Sequence, residues 1–260
     1  MNETVRLADG TGDRPIGRGD ALMLLLWAVA IPSLVGAVFA AALIASMAAS
    51  TPFDQMFDRL QTNFYYVVGA TTVGDAIVLW VIWRRAKTIT SRPFMRFFSP
   101  VRLRTLLWAA VSAIALSIAT LAVEVVLKKV YGLSLSPGQT ETAMLPKTTT
   151  QLALLVAAFV VFVPFYEEVL FRGFLLGWLK RVAPVWLAIP ASAAIFALFH
   201  GLYFTRETVS GIVGTGEIFA AGVLLAWWAA RTKSLWPAYA VHVAGNATAF
   251  ALTLLLPGWP

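Results

Sequence analysis

The chain has 260 residues, of which 59% are hydrophobic and only 13% charged, and its mean hydropathy is +0.77. A soluble domain is about 45–50% apolar, so this composition excludes an ordinary water-soluble globule and predicts an integral membrane protein. The absence of cysteine excludes disulfides, thiol nucleophiles and cysteine-ligated zinc, leaving carboxylate, imidazole, amide and hydroxyl groups for any chemistry. The net charge of +7 does not mark a nucleic-acid binder, because the basic residues gather between apolar runs instead of forming one extended face.

Apolar runs long enough to approach the roughly 20 residues that cross a bilayer predict seven spans: Ala21–Met47, Asn63–Trp83, Thr105–Leu127, Leu152–Leu179, Val185–Phe204, Gly216–Ala230 and Leu235–Leu256. The expected fold class is therefore all-α, a polytopic transmembrane helical bundle. The first run is too long for the apolar part of a signal peptide and follows a mixed-charge tail over residues 1–20, so it reads as an uncleaved helix. The connector Arg84–Arg104 carries Arg84, Arg85, Lys87, Arg92, Arg96, Arg102 and Arg104 and no acid, which assigns it, and with it the N-terminus, to the cytoplasm. The same alternation puts Lys180, Arg181, Arg231 and Lys233 inside and the connectors near 50–60, 128–150 and 205–215 outside. The aromatic and basic stretch RPFMRFFSPVRLR is expected to lie along the membrane surface. The sixth run is short and reads as tilted or partly re-entrant. The chain divides into a cytoplasmic tail (1–20), N-terminal helices (21–149) and a late helical core (150–256), placed in a bacterial plasma membrane.

A charge at bilayer depth is costly unless paired or hydrated, which makes each one a functional candidate. The candidates are Asp75, Glu124, Glu167, Glu168, Arg172, His200, Glu217 and His242. In PFYEEVLFRG, Glu168 and Arg172 are four residues apart, the spacing of an ion pair along a helix, while Glu167 is turned about 100° from Glu168. One glutamate is thus available to neutralise the arginine and the other to face something else, although a purely structural triad has the same spacing. The next run ends in IFALFH, with Phe196 and His200 on one face, and the last contains HVAGN, with His242 and Asn246 on one face. Taken singly, a histidine there reads as a packing residue and an asparagine as helix-to-helix glue. Depth brings them together: at about 1.5 Å per residue, Glu167 lies roughly 21 Å from Arg181, His200 roughly 24 Å from Pro184, and His242 and Asn246 roughly 14 and 20 Å from Lys233. Pro164 removes a backbone hydrogen bond one turn before Glu167 and is expected to kink that helix. Gly173, Gly201 and Gly245 are candidates for close helix approach. Glu217 reads as a charge near a helix N-terminus, Glu124 as the neighbour of Lys128, and Asp75 as lining a cavity or pairing with a cation.

The motifs EEVLFR, FALFH and HVAGN, in this order on successive late helices, resemble the EExxxR, FxxxH and HxxxN motifs of the CAAX protease and bacteriocin-processing family of intramembrane endopeptidases. The resemblance covers roughly residues 150–250. It implies a catalytic cavity within the membrane, with Glu167 and His200 holding and activating water, His242 and Asn246 stabilising the oxyanion, and Glu168 and Arg172 supporting the site. Two versions of the chemistry stay open: a glutamate base without metal, or a divalent metal such as zinc on Glu167, His200 and His242, a three-ligand set with an open water position. Amide hydrolysis needs a base, a proton for the leaving amine and donors for the oxyanion, and these groups supply all three. The implied partner is a hydrophobic or membrane-anchored peptide. Ser192 and Ser210 lack a base at matching depth, and Asp75 is a single aspartate, so serine and aspartyl proteolysis are disfavoured. A non-enzymatic membrane scaffold or immunity factor, or a proton-coupled transporter, remains the alternative. Oligomeric state is not legible.

Overall fold

A computed structural model of the chain describes residues 17–47, 51–52, 55–56, 59–60, 62–86, 99–132, 145–200 and 208–255. Most of the tail 1–20, of the surface stretch 92–104 and of the outer loop 128–150 falls outside the described residues, as do Lys87, Arg92, Arg96 and Gly201. The described residues form helices α1 (Arg18–Met47), α2 (Phe64–Ala86), α3 (Leu103–Tyr131), α4 (Thr149–Val182), α5 (Val185–Phe199), α6 (Thr208–Thr232) and α7 (Trp236–Leu255), with no strand among them. Each predicted span has its helix, and the protein is a multi-pass membrane protein.

Two spans differ from their prediction. The sixth is a full helix of 25 residues. The polar residues that shorten its hydropathy signal are accommodated within the helix: Thr215 Oγ1 donates to the Gly211 carbonyl at 2.7 Å, so its hydroxyl presents no unpaired donor to lipid. The fifth is 15 residues long and stops at Phe199, with His200 as its cap at φ −89° and ψ 23°. His200 therefore sits at a helix end, where its ring is less enclosed by neighbouring turns.

Helix α4 is the axis of the bundle. Every residue from Glu168 to Leu176 is buried, and Val169, Leu170, Phe171, Phe174, Leu175 and Leu176 join Leu24 of α1, Val78 and Ile82 of α2, Phe196 of α5, Leu225 of α6 and Val241 of α7 in one apolar core. Around it the helices pack as neighbours α1 with α2, α3 with α7, and α5 with α6. Their outer surfaces keep large apolar side chains such as Leu26, Leu34 and Trp186 exposed, which in water would be a liability and in a bilayer is solvation.

The basic connectors share one end. Arg85 at the end of α2 donates from Nη2 to Asp20 Oδ1 at the start of α1 at 2.7 Å, and Asp20 Oδ2 accepts from the Gly17 amide at 2.9 Å. Ser234, between α6 and α7, donates to the Ser99 carbonyl at 3.4 Å. At the opposite end residues 62–65 border a common cavity with Leu145, Lys147 and Gln151. This agrees with the alternation read from the basic residues.

Close helix contact occurs at Gly74 and Gly222. A Cβ on Gly74 would lie 2.8 Å from Pro32 Cα, joining α2 to α1, and one on Gly222 would lie 3.1 Å from Ala193 Cα, joining α6 to α5. Gly245 has open space at the corresponding position. Overpacking costs about 1–3 kcal/mol, so Gly74→Ala is expected to lower the thermal unfolding midpoint in detergent while Gly245→Ala leaves it unchanged or raises it. Equal midpoints for the two variants would contradict the α1–α2 contact.

Candidate active site

The site begins with an irregularity in α4. Around Pro164 the helix widens to five-residue hydrogen bonding over Val156–Phe162 and again over Glu168–Leu175. The Val163 amide reaches back to the Ala158 carbonyl. The next carbonyl in that register, Phe159, would accept from residue 164, but proline has no N–H. Asn246 of α7 supplies the missing donor, its Nδ2 lying 2.8 Å from the Phe159 oxygen. Tyr239 adds its hydroxyl to the Val161 carbonyl at 3.1 Å. In a medium without water every freed carbonyl needs a partner, so the widened helix and α7 stabilise one another. The expected effect of Pro164 is thus a local widening that fastens α7 to α4.

Just beyond, Glu168 and Arg172 are both fully buried, and Arg172 Nη1 lies 3.2 Å from Glu168 Oε1. The contact is ionic and not a well-aligned hydrogen bond, since Nη1 has no partner by that stricter geometry. The guanidinium donates from Nη2 to the Gly222 carbonyl of α6 at 3.3 Å and lies 4.2 Å from the Phe196 ring centroid of α5, a cation–π contact. The ion pair expected from the spacing is present, and it reaches two further helices.

Glu168 has a second partner that its spacing did not reveal. His242 Nδ1 lies 2.9 Å from Glu168 Oε1; a carboxylate only accepts, so Nδ1 carries the proton. His200 Nδ1 lies 2.8 Å from the Phe196 carbonyl and donates for the same reason. Both rings consequently turn Nε2 toward Glu167. His200 Nε2 is 3.6 Å from Glu167 Oε1 and His242 Nε2 is 3.4 Å from Glu167 Oε2. These separations exceed a hydrogen bond and suit a small hydrogen-bonding molecule such as water at the carboxylate. Side-chain exposure rises from 0% for Glu168 through 9% for His242 and 14% for Glu167 to 31% for His200. The two adjacent glutamates are thereby separated into a sealed one and an accessible one.

Glu167, His200 and His242 come together from three helices, as the shared depth predicts. Asn246 is one turn from His242, but one of its two amide hydrogens is committed to Phe159. Among the described residues no set of three His, Asp or Glu side chains is gathered as metal ligands; the rings face different oxygens of Glu167 and so bracket the carboxylate.

The remaining intramembrane acids fall elsewhere. Glu217 lies well inside α6, which begins at Thr208, so it is not a helix N-terminal charge; its Oε1 is sealed without a hydrogen-bond partner among the described residues, and it interacts with the charge of Glu124 on α3. Asp75 is buried on α2. On that helix Phe64 and Val68 pack with Leu155 and Ala158, and Val78 and Ile82 join the core of Tyr166, Val169 and Leu170. Asp75 lies between these levels, near that of Glu167, whose charge it feels. Its span was legible but its neighbour was not, because the pairing of α2 with α4 leaves no local spacing signal. Ser192 Oγ is sealed without a hydrogen-bond partner among the described residues, which leaves it no activating base; the side chain of Ser210 lies outside the described residues.

Residues 149–248 match the family model described as type II CAAX prenyl endopeptidase Rce1-like, while no curated protein and no solved structure matches the chain. The matched segment contains Glu167, Glu168, Arg172, His200, His242 and Asn246, and leaves Asp75 and helices α1 to α3 outside. The helical core formed by residues 149–248 is thus similar to the type II CAAX prenyl endopeptidases, which supports the family resemblance carried by the three motifs.

Proposed function

We propose that the chain hydrolyses a peptide bond in a hydrophobic or membrane-tethered peptide, prenylated substrates being one class that the family match supports. The observation that carries this reading is a single accessible carboxylate, Glu167, with an imidazole nitrogen facing each of its oxygens. Glu167 is the general base: it takes a proton from a water held beside His200 as the water oxygen attacks the carbonyl carbon. His242, fixed at Nδ1 by Glu168, donates from Nε2 to the developing oxyanion when the ring carries both protons, and the Glu168 carboxylate balances that charge. The uncommitted amide hydrogen of Asn246 is the second donor. As the tetrahedral intermediate collapses, the proton on Glu167 passes to the leaving amine. Arg172 keeps Glu168 in place and makes no contact with substrate.

Glu167, His200 and His242 are also the residues that would hold a divalent metal such as zinc. The base reading uses the side chains where they stand. The basic end of the bundle faces the cytoplasm in this reading, and the protein resides in a bacterial plasma membrane.

General acid–base groups contribute about 10²–10⁴-fold in rate. Glu167→Gln and His200→Ala are each expected to lower peptidase turnover by at least about 100-fold with the unfolding midpoint in detergent unchanged. Retention of the cellular phenotype by both variants would favour a scaffold, and pH-driven uptake without a cleaved product a transporter. Arg172→Met leaves Glu168 buried without its cation, a change that costs about 3–5 kcal/mol, and is expected to abolish stable folding as read by protease resistance in membranes. Dialysis against a chelator is expected to leave turnover intact; loss of turnover restored by zinc would replace the base reading with a metal one.

A further inference from the structure

At the basic end, the first turns of α3 and the last turn of α6 border a cavity of about 490 Å³ that the proposed reaction does not use. It is lined by Arg102, Arg104 and Arg231 and by Trp108, Trp227 and Trp228, with no acidic residue among the described residues of its wall. On the α6 side the wall residues have fixed partners. Trp228 Nε1 donates to Ser112 Oγ across the α3–α6 contact at 3.0 Å, and the Arg231 guanidinium lies 5.2 Å from the Trp227 ring centroid. Arg102 is the N-cap of α3 and its side chain makes no capping hydrogen bond, so the positive end of that helix adds to the three cations.

Arg102, Arg104 and Arg231 are exposed, so their charges are available to a ligand, and an anion held between them relieves their mutual repulsion. Their planar donor forks match the oxygens of a phosphate. The indoles decide which phosphate. Trp108 and Trp227 remain exposed on the outer surface of the bundle, at the end of spanning helices where tryptophan marks the headgroup level of a bilayer. A ligand with a phosphate and adjoining apolar chains satisfies both halves of the wall, and a free anion satisfies only one. The volume lies within the range of about 300–1,000 Å³ typical of small-molecule sites. We propose that this cavity binds the phosphate headgroup of an anionic lipid of the cytoplasmic leaflet, with the three arginines on the phosphate and the exposed indoles beside the acyl chains. The bound lipid joins α3 to α6, and α6 carries the Gly222 carbonyl that receives Arg172, so its effect is read as stability of the bundle.

The test uses the full chain in nanodiscs of phosphatidylcholine, with and without phosphatidylglycerol, and reads lipid retained in native mass spectrometry together with the unfolding midpoint. Phosphatidylglycerol is expected to be retained and to raise the midpoint of the unaltered protein. The combined variant Arg102→Gln, Arg104→Gln, Arg231→Gln is expected to bind it about a hundredfold more weakly. A variant losing the same charge at Arg18, Arg84 and Lys233 is expected to bind it as the unaltered protein does. Equal losses in the two variants would mean general surface attraction and overturn the site. Inorganic phosphate added to phosphatidylcholine nanodiscs is expected to have no effect; if it alone reproduces the midpoint shift with no lipid retained, the cavity is a soluble-anion site and the proposal fails. Should the triple variant not fold, Arg231→Gln and Trp108→Ala are compared singly, and unchanged retention in both would equally overturn it.

Discussion

Glu168 is a carboxylate with no access to solvent, and the bundle gathers its partners around one oxygen, Oε1. Arg172 supplies the opposite charge from one turn along α4, and His242 supplies a hydrogen bond from α7. Arg172 in turn donates from Nη2 to a carbonyl of α6 and lies against a ring of α5. In hydrocarbon an isolated charge is far more costly than any single apolar contact is favourable. The helices that satisfy this pair are therefore held in one relative placement, and that placement delivers His200 and His242 to Glu167. A buried pair of this kind adds little net stability over a well-packed apolar core. Its value here is that few other arrangements of the same helices would satisfy it.

The break in α4 works to the same end. A proline inside a spanning helix frees a carbonyl that lipid cannot satisfy, and in this chain the carbonyl is taken by Asn246. The polar groups of α7 thereby have complementary tasks: His242 is oriented by Glu168, and Asn246, one turn away, fastens the same helix to α4. The positioning of the imidazole and the mending of the helix are linked through a single element. The glycines at 74 and 222 do comparable work for the outer helices by letting α1 and α5 approach closely.

Much of this was legible in the order of the residues. Seven apolar runs identified seven helices because the bilayer imposes a length and a polarity on any segment that crosses it. The division of Glu167 from Glu168 followed from helical angle alone, and the convergence of three helices followed from counting depth. Other features were not legible, for reasons that can be named. The helical nature of α6 at Thr215 depends on a hydroxyl folding back onto its own backbone, which hydropathy scores as polar. Glu217 was misread because its helix begins at Thr208, well before the apolar run that starts at Gly216. The expectation of close approach at Gly245 failed because a small residue is informative only when another backbone lies opposite it.

By itself the sequence determined that the chain spans a membrane, which helices carry ionisable groups, and which of those groups share a face, since all three follow from local period and from the cost of polarity in lipid. Only the tertiary structure decided that His242 bridges both glutamates, that Asn246 serves the carbonyl freed by Pro164, and that Asp75 lies near the level of Glu167. Each of those relates residues at least 74 positions apart, set by how helices pack side by side, and no periodicity within one helix encodes which face of another it will meet.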